Sequence, residues 1–173
     1  NVIKTGNIIF EDINGDGLKE MIFKSKESNI YIYAQTGNYD YTLQHNISNT
    51  DIGMMDAHKS IFLYDLNNDG NKEIICRSPN STFRILQRQS GYEYTTVGSE
   101  DYSYYILNSS LITSNIALTD FYDVDNDGLI DIVGGNWVFF NNGDFTFNKV
   151  AIHQSLPLME PIFKCADINN NGK

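Results

Sequence analysis

Hydrophobic positions in this chain come in short runs of four to eight residues, rich in Ile, Val, Phe and Tyr, and none follows a helical period. They fall into a recurring order. A first run ("NIIFEDI", "SIFLYDL", "ALTDFYDV", "PIFKCADI") leads into a polar Asp/Asn/Gly stretch, and a second apolar run follows at once ("EMIFKS", "EIICRS", "DIVGG"). A third run comes next ("NIYIYAQ", "TFRILQR", "WVFFNN"), closed by a turn signal at Thr36–Asn38, Gln89–Gly91 or Asn141–Asp144. The last run opens with aromatics two apart: Tyr39 and Tyr41, Tyr92 and Tyr94, Phe145 and Phe147. Alternation at period two places both rings on one face of a strand, where they are expected to pack between neighbouring sheets. Each unit therefore reads as four strands in up-and-down order.

The polar stretch between the first and second strands is nearly the same each time: "DINGDGLKE" from Asp12, "DLNNDGNKE" from Asp65, "DVDNDGLID" from Asp123, and "DINNNGK" from Asp167 to the last residue. Ionised carboxylates crowded this closely repel one another unless a cation sits among them. Oxygen side chains recur at loop positions one, three, five and nine, with glycine at six, the order in which hard ligands wrap calcium through a sharp turn. The expected ligands are Asp12, Asn14, Asp16 and Glu20; Asp65, Asn67, Asp69 and Glu73; and Asp123, Asp125, Asp127 and Asp131. Leu18, Asn71 and Leu129 would each add a backbone carbonyl from position seven, and Asp167, Asn169 and Asn171 begin a fourth, incomplete set. Oxygen donors alone suit calcium better than zinc or copper. A solvated turn is the alternative for any one loop, but three independent turns would not repeat this pattern.

An EF-hand is excluded on two counts. Its twelfth position requires a bidentate Glu, and here that position is Phe23, Cys76 or Gly134. Its loop also lies between helices, as in dockerin-like pairs, and these loops run into strands.

The similarity extends beyond the loops, since the stretch from Asp12 to Thr42 aligns without a gap on that from Asp65 to Thr95. A four-stranded unit repeated at roughly 45 to 60 residues reads as a propeller blade. The loops, with "VFFNNGDFTFNKV" after the third, resemble the FG-GAP and VCBS repeats of calcium-containing β-propellers, including that of integrin α-subunits, over nearly the whole chain from about Gly6. The phrase that names FG-GAP is not conspicuous, which favours the bacterial VCBS-like type. The resemblance implies an all-β propeller of six to eight antiparallel four-stranded blades in a secreted or surface protein, with calcium between the first and second strands. One partial propeller domain is expected over residues 1–173, with blades at about 6–48, 58–100 and 116–152 and the start of another at 160–173. A closed ring needs about twice that many blades, so the chain is expected to be a fragment completed by further sequence or by another chain.

Net charge is −10, yet the loops hold eleven of the 22 acidic residues, so acidity is local and points to no cationic partner. No basic, aromatic-interleaved patch suggests nucleic acid, and no apolar run is long enough to span a membrane. Calcium modules of millimolar affinity fill outside the cytosol, so an extracellular, cell-surface or periplasmic location is expected. Cys76 and Cys165 fall in strands of different units and read as buried free thiols. Sequons at Asn46, Asn80 and Asn108 occur no more often than this composition gives by chance.

Catalytic signatures such as G-x-S-x-G, H-E-x-x-H or a phosphate-cradling loop are absent from the sequence. His45 and His153 read as exposed or packing residues; His58, with Asp56 beside it, precedes a first strand and is the better candidate for contact with a ligand. The expected function is a calcium-clipped binding or adhesion module for a glycan or protein. The alternatives are a secreted polysaccharide lyase, or an architectural segment of a toxin or surface assembly, because fold alone does not choose.

Overall fold

The computed structural model describes residues 8–50, 61–78, 82–101, 118–134 and 137–151. Among them there are twelve strands and no helix. The first sheet is β1 (Ile8–Glu11), β2 (Glu20–Lys24), β3 (Ile30–Gln35) and β4 (Tyr41–Ile47). The second is β5 (Ile61–Tyr64), β6 (Glu73–Ser78), β7 (Thr82–Ser90) and β8 (Glu93–Asp101), and the third β9 (Leu118–Tyr122), β10 (Asp131–Gly134), β11 (Trp137–Asn141) and β12 (Phe147–Ala151). In each sheet the strands lie side by side in chain order. Neighbouring strands run antiparallel, with Ile8 opposite Phe23 in the first sheet, Ile61 opposite Cys76 in the second and Asp131 opposite Tyr122 in the third. Four strands in up-and-down order are the architecture of a propeller blade.

Two compact units hold the sheets, one with β1 to β6 and nearly all of β7 and β8, the other with the 65–70 loop and β9 to β12. The first unit shows why the middle strands are the most apolar. β3 alternates buried and half-buried positions, with Ile30, Ile32 and Ala34 turned inward. Ile30 and Ile32 join Ile13, Ile22 and Ile47 from the first repeat and Ile61, Ile74, Cys76, Leu86 and Tyr94 from the next in one core. Sheet packs on sheet, and neither buries its face alone. In the second unit Phe121, Ile132, Val133 and Phe139 are buried, together with Leu66.

The aromatic pairs do not all behave as the alternation suggests. Tyr39 and Phe145 precede their strands, with left-handed φ of 71° and 66°, and Tyr39 is 95% exposed. These first members are turn residues, so period two does not apply to them. In the second sheet Gly91 takes the positive φ instead, and Tyr92 completes a two-residue turn between β7 and β8. The second members do pack: Tyr94 is buried, and Tyr41 meets Phe10 edge to face at 6.1 Å. Cys76 is a buried free thiol, pushed up to about 12 by burial, with the positive charges of Lys24 and Arg84 opposing that rise. Cys165, Asp56, His58 and His153 lie outside the described residues, as do Asp167, Asn169 and Asn171.

Backbone geometry repeats at the loops. Position six has φ of 86° at Gly17, 87° at Gly70 and 90° at Gly128, and position four is left-handed as well, at Gly15, Asn68 and Asn126. A Cβ on Gly128 would meet no heavy atom within 4 Å, so the need for glycine is torsional and not steric crowding. Chemical denaturation of Gly128→Ala is expected to show a loss of about 1–2 kcal/mol; no loss would mean that the loop relaxes to another turn. Ile32→Ala is expected to cost about 2–5 kcal/mol, while Leu43→Ala on the exposed face changes stability by less than about 0.5 kcal/mol. Equal costs at the two positions would contradict the assigned core.

Candidate metal centre

Each loop is built by its first residue. Asp12 accepts hydrogen bonds from the backbone N–H groups of Gly15 and Gly17 at 2.7 and 2.8 Å. Asp65 accepts from Asp69 and Gly70 at 3.2 and 2.9 Å, and Asp123 from Asp127 and Gly128 at 3.1 and 3.0 Å. The alternate positions make Asx turns, in which a side chain accepts from the backbone two residues on: Asn14 from Asp16, Asp16 from Leu18, Asn67 from Asp69, Asp127 from Leu129. These bonds curl each loop into a bowl around its first-position carboxylate.

Position nine closes the bowl from below. Glu20, Glu73 and Asp131 each open the second strand of a sheet, and all three are buried, at 1%, 0% and 0% exposure. Glu20 Oε2 accepts from Ile13 N at 3.0 Å, and Asp131 Oδ2 accepts from Val124 N at 2.7 Å, the same position-two amide in each loop. The other oxygen of Asp131 accepts from Asn141 N at 2.8 Å. Glu73 Oε1 is buried and accepts no hydrogen bond.

In the third loop Asp123, Asp125 and Asp131 bring oxygens within 4.8 Å of one another. Two unit charges at that separation repel by about 3 kcal/mol at an effective dielectric constant of ~20, less where solvent reaches the exposed Asp125. Each hydrogen bond to a charged group returns about 1.5–3 kcal/mol, and Asp123 and Asp131 take two amides apiece, which offsets the repulsion but adds no positive charge. Ionisation is correspondingly uneven. Burial, and then the charges of Asp125 and Asp127, push the Asp131 carboxyl above its ordinary value against the hydrogen bonds from Asn141 and Val124. Burial, with Asp16 and Asp12 adding to it, does the same to Glu20. Asp12 moves the other way, held low mainly by the Gly17 amide. A divalent cation removes this conflict, and the donors present fit a hard one, being oxygens throughout.

Two contacts on the loops come from the sheet that follows. Tyr92, in the turn between β7 and β8, has its phenol oxygen 2.9 Å from Asn14 Nδ2 and 3.5 Å from Glu20 Oε1. In the second unit Asn141 Nδ2 donates to the Leu66 carbonyl at 2.6 Å and to the Ile130 carbonyl at 3.0 Å, and Asn68 donates to the Gly128 carbonyl at 3.0 Å. The sequence gives only a faint signal for Asn141. It ends a third strand at the position occupied by Gln35 and Arg88 in the other repeats, always a polar residue, and Arg88 likewise reaches its loop, at Asn71 Oδ1. Tyr92 aligns with Tyr39 and Phe145, and nothing in the sequence separates it from them.

No curated protein and no solved structure matches the chain. Residues 12–76 match the family model described as an FG-GAP-like repeat. That stretch begins at the first residue of one loop and runs through the whole of the next. Residues 12–76 are therefore similar to an FG-GAP-like repeat, in a chain whose described residues form three four-stranded antiparallel sheets of the kind found in propeller blades.

Proposed function

We propose that the chain is part of a calcium-stabilised β-propeller that works outside the cytosol as an interaction module, presenting a surface to a glycan or protein ligand. The observation that carries this reading is the burial of all three ninth-position acids, Glu20, Glu73 and Asp131, beneath loops already rich in carboxylates. Burying a charge is costly unless it is paired or coordinates a metal. In these positions Asp12, Asn14, Asp16 and Glu20, with their counterparts in the second and third loops, would hold the cation. The cation supplies charge neutralisation and a cross-link between the loop rim and the second strand.

Calcium is favoured by magnitude as well as by chemistry. With a dissociation constant of ~0.1 mM, a site in ~1 mM calcium adds roughly 1.4 kcal/mol by mass action. Three sites together add about 4 kcal/mol, a large share of a typical stability of 5–15 kcal/mol. At cytosolic calcium levels such sites stay nearly empty, which supports a secreted or surface location. Catalytic motifs are missing from the sequence, and this supports a binding role over a polysaccharide lyase.

Glu20→Gln tests the metal reading because the sign of its effect reverses. A carboxyl whose folded value is raised adds stability below its ordinary pKa and loses it as pH rises through the folded value. Without cation, at neutral pH, ionised Glu20 is therefore a liability. The variant is expected to melt higher than the parent in chelator and lower than the parent in millimolar calcium; an equal loss in both conditions would rule Glu20 out as a ligand. For the ligand surface, incubation with uronate-containing polysaccharides is expected to give no unsaturated product by ultraviolet absorbance. Sustained product formation would replace the module with a lyase.

A further inference from the structure

The phenol of Tyr92 reaches the first loop from a different sheet and falls directly on expected ligand side chains. Its ring lies half-buried against the core shared by the first two sheets, so packing anchors the ring whatever the hydroxyl does. The hydroxyl meets both Asn14 at position three and Glu20 at position nine, whose side chains also meet each other, Asn14 Nδ2 lying 3.5 Å from Glu20 Oε1. A phenol accepts and donates at once. It can take a hydrogen from the Asn14 amide and turn its own toward Glu20 Oε1, the carboxylate oxygen that Ile13 N–H leaves uncapped. A neutral hydroxyl does this without adding another negative charge, as a carboxylate would, and without competing with a cation, as Lys or Arg would.

The other loop contacts lack this property. The Asn141 side chain binds the Leu66 and Ile130 carbonyls, and the Asn68 side chain binds the Gly128 carbonyl, so both hold loop backbone and not a ligand side chain. Where the third loop needs a second donor on its buried acid, its own sheet provides one, Asn141 N–H on Asp131. In the first loop Tyr92, from the sheet that follows, shares that place with Asn14 Nδ2, and it also holds Asn14 itself.

We infer that Tyr92 is a positioning residue for the first cation site, holding Asn14 and Glu20 in place from the second sheet, so that cation binding in this loop and docking of the two sheets favour each other. The inference rests on the calcium reading above. Linkage is reciprocal: whatever docking contributes to affinity, the cation returns to docking. Partners that orient metal ligands from outside the coordination sphere typically account for 10–100-fold in metal affinity. A single, partly solvated hydroxyl belongs at the low end, about tenfold.

Tyr92→Phe keeps the packed ring and removes only the hydroxyl. Calcium titration of the glycine-labelled protein by nuclear magnetic resonance follows Gly17 and Gly128 separately, because each amide donates to the first ligand of its own loop. In the variant the Gly17 midpoint is expected to move to about tenfold higher calcium while the Gly128 midpoint stays in place, and melting in chelator is expected to match the parent. An unchanged Gly17 midpoint overturns the inference, and so does an equal shift at both glycines, which would mark a general loss of structure. If Gly17 fails to respond to calcium in the parent protein, the calcium reading itself fails, whatever Tyr92 does.

Discussion

Three carboxylates, Glu20, Glu73 and Asp131, sit where a protein interior tolerates charge least, at the head of the second strand of each sheet. The surrounding architecture follows from that constraint. The position-two amide caps one oxygen of Glu20 and one of Asp131, and this fixes where the loop leaves the first strand. The first-position Asp then gathers amides from the far side of the loop, which forces the left-handed residues at positions four and six. The result is an acidic bowl that is well ordered yet electrostatically unresolved, with Asp12 held ionised while Glu20 and Asp131 are pushed toward protonation. A site in this state is prepared for a cation.

The bowl also joins one sheet to the next. Ile13 and Leu66, at position two of the first and second loops, are both buried, while Val124 at the same position of the third is 36% exposed. Ile13 contributes to the core that the first two sheets share, and the loop around it carries the Tyr92 contact. Leu66 is buried in the unit of the third sheet, with its carbonyl bound by Asn141. If the first loop holds a cation, the packing of its second residue, Ile13, in the core of the first two sheets would tie metal occupancy to that packing. Repeat proteins draw much of their stability from such nearest-neighbour terms.

Much of this was legible in the sequence, for identifiable reasons. Strand period, loop spacing and glycine at position six are local signals, and "DVDNDGLID" carries all three within nine residues. Less legible was anything that depends on how a turn closes. Tyr39, Tyr92 and Phe145 share one pattern, yet two of them take left-handed backbone themselves, whereas Gly91 takes it in place of Tyr92. Only the last arrangement accompanies a ring that reaches a loop in another sheet. Asn141 shows the same limit: an Asn before a turn reads as turn chemistry, and its hold on Leu66, 75 residues earlier, has no local signature.

The most direct test of the central claim is an anomalous difference map from crystals of the protein grown in calcium. A peak is expected in each complete loop, with ligand oxygens at about 2.3–2.6 Å, and in the third loop Asp123, Asp125 and Asp131 converging on it. Full-occupancy protein with no anomalous signal in any loop at saturating calcium would contradict it.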